Sequence, residues 1–122
     1  KDKIPYIGIC IGCQILFEES DEAPGVRGLG WLRGRVVRFR GNLKIPHMGW
    51  NEARPLLPQQ ELGGFFYFVH SYYPVPGDAS IIAATCDYGA RFACAVKTEN
   101  IFAVQFHPEK SQTAGLALLK SR

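Results

Sequence analysis

A mostly apolar run, Ile4 to Ile9, leads straight into Gly8-Ile9-Cys10-Ile11-Gly12. The run has the length and content of a short buried strand. The segment after it, Ile11 to Glu19, is apolar at positions 11, 15, 16 and 17 and acidic at 18 and 19, which suits a short helix. Strand, sharp turn and helix with a cysteine at the turn is the thiol form of the G-x-S-x-G nucleophile elbow. A strained turn of this kind needs small residues two places either side, where larger side chains would collide with the adjacent strand or the helix. It also sets the thiol near a helix N-terminus, which favours thiolate. Taken alone, the pentapeptide fits a buried cysteine between tight-turn glycines equally well.

The rest of the chain is rich in β-strand signals. Strands are expected over Trp31 to Arg40, Lys44 to Ala53, Phe65 to Tyr73, Ser80 to Cys86, Phe92 to Lys97 and Ile101 to Phe106. Phe65 to Tyr73 alone holds six aromatic residues and a valine. Asp21 to Gly30 and the proline-containing Arg54 to Gly64 read as loops, and Thr98-Glu99-Asn100 as a hairpin loop. His107-Pro108 ends the last strand, because proline cannot donate to the ladder. Ser111 can cap a final helix over Gln112 to Lys120. One βα unit followed by a β-rich stretch predicts an α/β fold with a mixed, partly antiparallel sheet. A doubly wound sheet normally has strands on both sides of such an opening strand, so further elements are expected upstream. An uncovered strand edge there would favour self-association.

Composition narrows the function classes. The 122 residues suit one domain. With 47% hydrophobic and 20% charged residues, the chain is not of the disordered type. A net charge of +3, scattered along the sequence, predicts no nucleic-acid partner. No apolar stretch reaches the roughly 18 residues of a membrane span, and no secretory leader is recognisable. Four cysteines, at 10, 13, 86 and 94, then read as reduced thiols in a cytoplasmic compartment. Cys10-Ile11-Gly12-Cys13 is also a C-x-x-C, which leaves a redox pair open. Zinc would need Cys86 and Cys94, whose spacing is unusual for a ligand pair, so neither metal nor cofactor is expected.

A second constellation lies at Phe106-His107-Pro108-Glu109-Lys110. A histidine at a strand end, with a carboxylate two residues on, can act as a base with its orienting partner. Alone it is an ordinary surface loop; with Cys10 it supplies what a thiol nucleophile needs. His47, in Pro46-His47-Met48-Gly49-Trp50-Asn51, and His70, in Val69-His70-Ser71-Tyr72-Tyr73, compete as bases, although each reads more simply as a structural histidine. Trp50, Tyr72 and Tyr73 are large for a surface with nothing to bind, though cross-strand packing would also use them.

Gly8-Ile9-Cys10-Ile11-Gly12-Cys13-Gln14 resembles the G-x-C-x-G-x-Q signature of class I (triad) glutamine amidotransferases, and Phe106-His107-Pro108-Glu109 resembles their second signature. Pro46 to Asn51, Phe68 to Tyr73 and Val104 to Ser111 narrow the resemblance to the glutaminase subunits of imidazole glycerol phosphate synthase. It runs from about Ile4 to Leu119. It implies the flavodoxin-like mixed sheet of that family, with residues 1–122 as the C-terminal two-thirds of one amidotransferase domain.

The resemblance also implies roles. Cys10 would attack the side-chain amide of glutamine, His107 would move the protons, and Glu109 would orient His107. The Ile11 N–H would face the oxyanion, and Gln14, Ser71 and Tyr72 would hold the amino-acid end of the substrate. Ammonia would pass to a (β/α)8-barrel cyclase subunit of histidine biosynthesis, contacted by His47, Met48, Trp50 and Asn51. Cys13 departs from the larger apolar residue usual in the family. Family members also carry an earlier segment with a Gly-rich loop that completes the oxyanion site; without its donor, a loss of roughly 10²–10³ in rate is expected. Alternatives are the amidotransferase subunit of another synthase, such as anthranilate synthase, and an inactive binding module.

Overall fold

The computed structural model describes residues 6–40, 44–56 and 62–110. Nine strands form within them. They are β1 (Tyr6–Ile9), β2 (Glu19–Ser20), β3 (Gly34–Arg38), β4 (His47–Pro55), β5 (Gly64–His70), β6 (Tyr72–Pro76), β7 (Ile82–Asp87), β8 (Arg91–Lys97) and β9 (Ile101–Val104). The one α-helical element described, α1, covers Ile11–Gln14, and short 3₁₀ turns cover Ala79–Ile81 and Pro108–Lys110.

The larger sheet runs in the order β1-β9-β8-β7-β4-β5. Only β1 and β9 are parallel there; the other neighbours are antiparallel. A smaller sheet, β2-β3-β6, pairs β2 and β3 in parallel and β3 with β6 in antiparallel sense. The predicted mixed, partly antiparallel α/β architecture is therefore present. An isolated bridge between Tyr67 and His107 brings β5 round against the segment following β9.

Burial explains the strand sequences. Phe92, Cys94, Phe102 and Val104 enter one core, with Phe66, Phe68 and Phe106, while Val96, Ile101 and Ala103 enter the other, with Cys13, Leu16 and Phe17. The β8–β9 hairpin is thus buried on both faces, so its sequence runs apolar instead of alternating. The rings of Phe66 and Phe106 stack at 4.0 Å between centroids, fixing the chain immediately before His107.

Three expectations need correction. The helix predicted to reach Glu19 stops at Gln14. Glu18 N–H instead donates to Gly34 O at 3.1 Å, and Glu19 and Ser20 pair with β3, so tertiary strand pairing takes over the helix's second half. The single strand predicted over Phe65 to Tyr73 is two strands. His70 pairs with His47 in the larger sheet and Tyr72 with Arg38 in the smaller, and Ser71 is where the chain changes sheets. The loop expected from Arg54 begins later, because Arg54 and Pro55 still pair with β7. The predicted helix over Gln112 to Lys120 lies outside the described residues. No helix among the described residues is long and apolar enough to cross a membrane. Among them, β1 has β9 as its one strand neighbour, and Ile7 is exposed.

Candidate active site

Cys10 sits between β1 and α1 at φ 56° and ψ −107°, and is the sole non-glycine with positive φ among the described residues. Side chains seldom adopt such a conformation, and it persists only where the surroundings impose it. Here both sides do. Cys10 N–H donates to Val104 O at 2.8 Å, and Cys10 O accepts from the N–H groups of Cys13 and Gln14 at 3.0 and 3.2 Å.

A Cβ added at Gly8 would lie 2.5 Å from Gly12 O and 2.9 Å from the Tyr6 ring, so glycine is required there, as expected. At Gly12 the expected collision is absent: the nearest atom to an added Cβ is the Tyr6 hydroxyl oxygen at 3.8 Å. The crowding falls on the Gly12 carbonyl, which also accepts a 2.8 Å bond from Tyr6 OH, and not on its Cα.

The register of the parallel pair places the second constellation. Ile9 lies opposite Val104, so Cys10 and the segment from Gln105 to Glu109 leave the same end of the sheet. His107 N–H donates to Tyr67 O at 2.9 Å, anchoring the backbone. Its Nδ1 lies 2.8 Å from Glu109 Oε2. A carboxylate can only accept, so Nδ1 carries the proton and Nε2 is the basic nitrogen of the neutral ring. The Glu109 carboxylate acts electrostatically on the Cys10 thiol, in keeping with their place at one end of the sheet.

The thiol is not acidified as a helix-start position suggests. Burial raises its pKa, and the negative charges of Glu109 and Glu22 add to this, against lowering by the Ile11 N–H and by Gln105. Four residues of helix carry too small a dipole to reverse that balance. The sulfur lies 3.7 Å from Val69 O, to which the resting thiol donates. A thiol held protonated in this way could act as a nucleophile only with a base to take its proton.

A cleft of about 160 Å³ opens over the sulfur. Five predicted residues line it, Cys10, Ile11, Gln14, Ser71 and Tyr72, together with Glu22, Val69 and His70. A neighbouring, mostly apolar hollow of about 190 Å³ shares Ile11, Gln14 and Glu22. Gln14 Nε2 donates to Tyr72 O at 3.0 Å and to Gln105 Oε1 at 2.9 Å. Both amide hydrogens are thereby used, and Gln14 can offer a ligand only its Oε1.

His47 was expected at a partner surface, but its side chain is buried, at 3% exposure. Strand alternation turns it inward, between Phe68 and Tyr88, while Met48 and Trp50 face outward at 60% and 48% exposure. His47 Nδ1 lies 3.0 Å from His70 Nε2, and His70 Nδ1 lies 2.8 Å from Tyr72 O. The carbonyl can only accept, so His70 carries its proton on Nδ1, and His47 donates from Nδ1 to His70 Nε2. Asn51 Nδ2 then donates to His47 Nε2 at 3.2 Å, and also to Asp87 O at 2.9 Å. Burial, the largest influence on each ring, pushes both histidines down to about 4. Both are thus neutral structural groups near neutrality.

All four cysteines are free. Cys13 is fully buried, and burial pushes its thiol up to about 12, so it is a poor redox partner for Cys10. Sequence reasoning missed Glu22, the one acid among the described residues lining the Cys10 cleft, and Gln105, whose Nε2 lies 3.6 Å from the sulfur. Glu22 lies in a segment read as loop, and nothing local marks it. The position of Gln105, two residues before His107, was the available signal for it.

The family model described as glutamine amidotransferase class-I matches residues 1–121. Curated relatives named imidazole glycerol phosphate synthase subunit HisH are similar throughout. The one from Syntrophotalea carbinolica is 50% identical, covering 96% of this chain and 63% of the relative. The one from Pyrococcus furiosus is 51% identical with the same coverages. The one from Aromatoleum aromaticum is 53% identical, covering 94% of this chain and 60% of the relative. The chain thus spans a little over 60% of the length of the first two and 60% of the third. Among solved structures, a glutamine amidotransferase from Thermotoga maritima superposes with a TM-score of 0.62 at 15% identity, covering 98% of this chain and 47% of that one. A Thermoplasma acidophilum protein described as a GMP synthase component gives 0.61 at 21%, covering 95% and 54%. At these identities the likeness is one of fold.

Proposed function

The chain belongs to the class-I glutamine amidotransferases, and on that premise we propose that it is the glutaminase part of an imidazole glycerol phosphate synthase. The observation that carries the reading is the elbow conformation of Cys10, which lines a cleft and leaves the sheet at the same end as the hydrogen-bonded His107–Glu109 pair. Relatives at about 50% identity that carry this name favour it over another synthase.

His107 Nε2 takes the Cys10 proton as the sulfur attacks the side-chain amide carbon of glutamine. The Ile11 N–H donates to the oxyanion that forms. His107 then gives its proton to the departing nitrogen, and ammonia leaves a γ-glutamyl thioester. Water, deprotonated by His107, attacks the thioester carbon; the thiol is restored and glutamate leaves. Glu109 keeps Nδ1 protonated throughout. Glu22 suits the α-ammonium group of the substrate, being the acid in the cleft wall; Ser71 and Tyr72 serve its carboxylate end.

The exposed Met48 and Trp50, with Trp50 edge-on to Tyr67 at 5.9 Å, form the face offered to a (β/α)8-barrel cyclase that receives the ammonia. The free cysteines suit a reducing cytoplasm. Self-association through the β1 edge is the competing use of an apolar surface. The test is glutamate release from glutamine, with and without the cyclase and its nucleotide ligand. Release that requires Cys10 and rises with the cyclase is the expected result. No release in either condition, or release unaffected by Cys10→Ala, overturns the reading.

A further inference from the structure

Gln105 is fully buried, although it carries an amide with two donors and an acceptor. Its backbone is held on β8, with its N–H donating to Cys94 O at 2.8 Å. Its side chain reaches back across the end of β9, and its Nε2 lies 3.6 Å from the Cys10 sulfur. Its Oε1 accepts from Gln14 Nε2 at 2.9 Å, and Gln14 Nε2 also donates to Tyr72 O.

The ladder fixes the direction of every bond. Tyr72 O can only accept, so the nitrogen end of Gln14 faces it. That nitrogen can only donate, so Gln105 turns its oxygen toward Gln14. The nitrogen of Gln105 is then left facing the sulfur. The opposite flip would set two NH₂ groups against each other at Gln14 and two acceptors against each other at the thiolate. A neutral thiol is a weak acceptor, whereas a thiolate is a strong one. A buried N–H fixed toward the sulfur therefore stabilises the thiolate more than the thiol.

Resting on the reading of Cys10 as the nucleophile, we propose that Gln105 is a thiolate-stabilising residue whose amide is locked in its donating orientation by Gln14. It opposes the two carboxylates, Glu109 and Glu22, whose charges disfavour the thiolate. The Ile11 N–H acts on the sulfur in the same sense as Gln105. During turnover, however, the Ile11 N–H is required at the oxyanion, whereas Gln105 stays with the sulfur. The proton lost from Cys10 goes to His107, and Gln105 exchanges none.

The test is the pH dependence of Cys10 alkylation by iodoacetamide, read by peptide mass spectrometry, which needs no glutamine turnover. In Gln105→Leu the midpoint should rise by about one to two pH units, as befits loss of a hydrogen bond to a charged group. Alkylation at a fixed pH below both midpoints should slow at least roughly tenfold. Gln105→Glu keeps the shape and the acceptor for Gln14 but sets a carboxylate at the sulfur, and should raise the midpoint further. Gln14→Met, which unlocks the amide, should give a smaller rise. An unchanged midpoint in Gln105→Glu, in protein that melts cooperatively, overturns the proposal even if Gln105→Leu fails to fold. Failure of glutamine hydrolysis with these shifts intact would overturn the functional reading and leave the thiolate role standing.

Discussion

Nδ1 of His107 stands 2.8 Å from Oε2 of Glu109, so the carboxylate selects the ring tautomer in which Nε2 is basic. Glu109 is half exposed, so the pair adds little to stability, and in the proposed mechanism its role is that selection. Glu109→Gln should lower kcat for glutamine hydrolysis by about 10²–10⁴ with little change in melting temperature. Steady-state glutamate release and thermal unfolding of the same preparation check both halves. A variant that melts normally and keeps wild-type kcat would remove Glu109 from the mechanism.

Gly8 and Gly12 look equivalent in the motif, but the elbow crowds only one of them. Gly8→Ala should destabilise the protein by about 1–3 kcal/mol or more, because its Cβ meets the Gly12 carbonyl oxygen at 2.5 Å. Gly12→Ala meets nothing closer than 3.8 Å and should stay within about 0.5 kcal/mol. Urea unfolding of the two variants side by side decides the matter. Equal destabilisation would mean that the elbow is crowded on both sides.

His47 and His70 are held neutral down to about pH 4, whereas in the unfolded chain they charge near 6.5. Between those values the unfolded state binds more protons, so stability falls as pH falls. The contribution is whole above about pH 6.5 and gone below about pH 4. Each ring should account for on the order of 1–3 kcal/mol. Melting temperature followed from pH 7 to pH 4 should drop, and the double variant His47→Asn, His70→Gln should show a flatter slope. An equal slope would place the acid sensitivity elsewhere.

Glu22 lines the cleft over Cys10 and is the acid there. Glu22→Gln should raise KM for glutamine about tenfold or more while changing kcat less, because one charge-assisted bond to the substrate is lost in ground and transition states alike. Kinetics over a wide range of glutamine concentration separates the two constants. A fall confined to kcat would instead point to a role at the reacting amide.

Much of the fold was legible because burial writes directly into sequence. The β8–β9 hairpin was readable from two apolar runs around Thr98-Glu99-Asn100, and the elbow from its glycines and cysteine. The end of α1 was not, because Glu18 and Glu19 have acceptable helix propensity and are drawn off by pairing with Gly34 and β3, an event distant in sequence. His47 was misplaced because its neighbours Met48 and Trp50 do face outward; strict alternation along β4 would have turned it inward. Gln105 approaches Cys10 across 95 positions of chain, with only its place two residues before His107 to hint at it, and Glu22 reaches the same cleft with no local pattern to mark it.

The most direct test is covalent. A diazo-ketone analogue of glutamine presented to the protein should alkylate Cys10 and none of the three buried cysteines, with labelling slowed by excess glutamine and by His107→Ala. Labelling that is absent from Cys10, or that is spread without regard to glutamine, would contradict Cys10 as the nucleophile of a glutaminase.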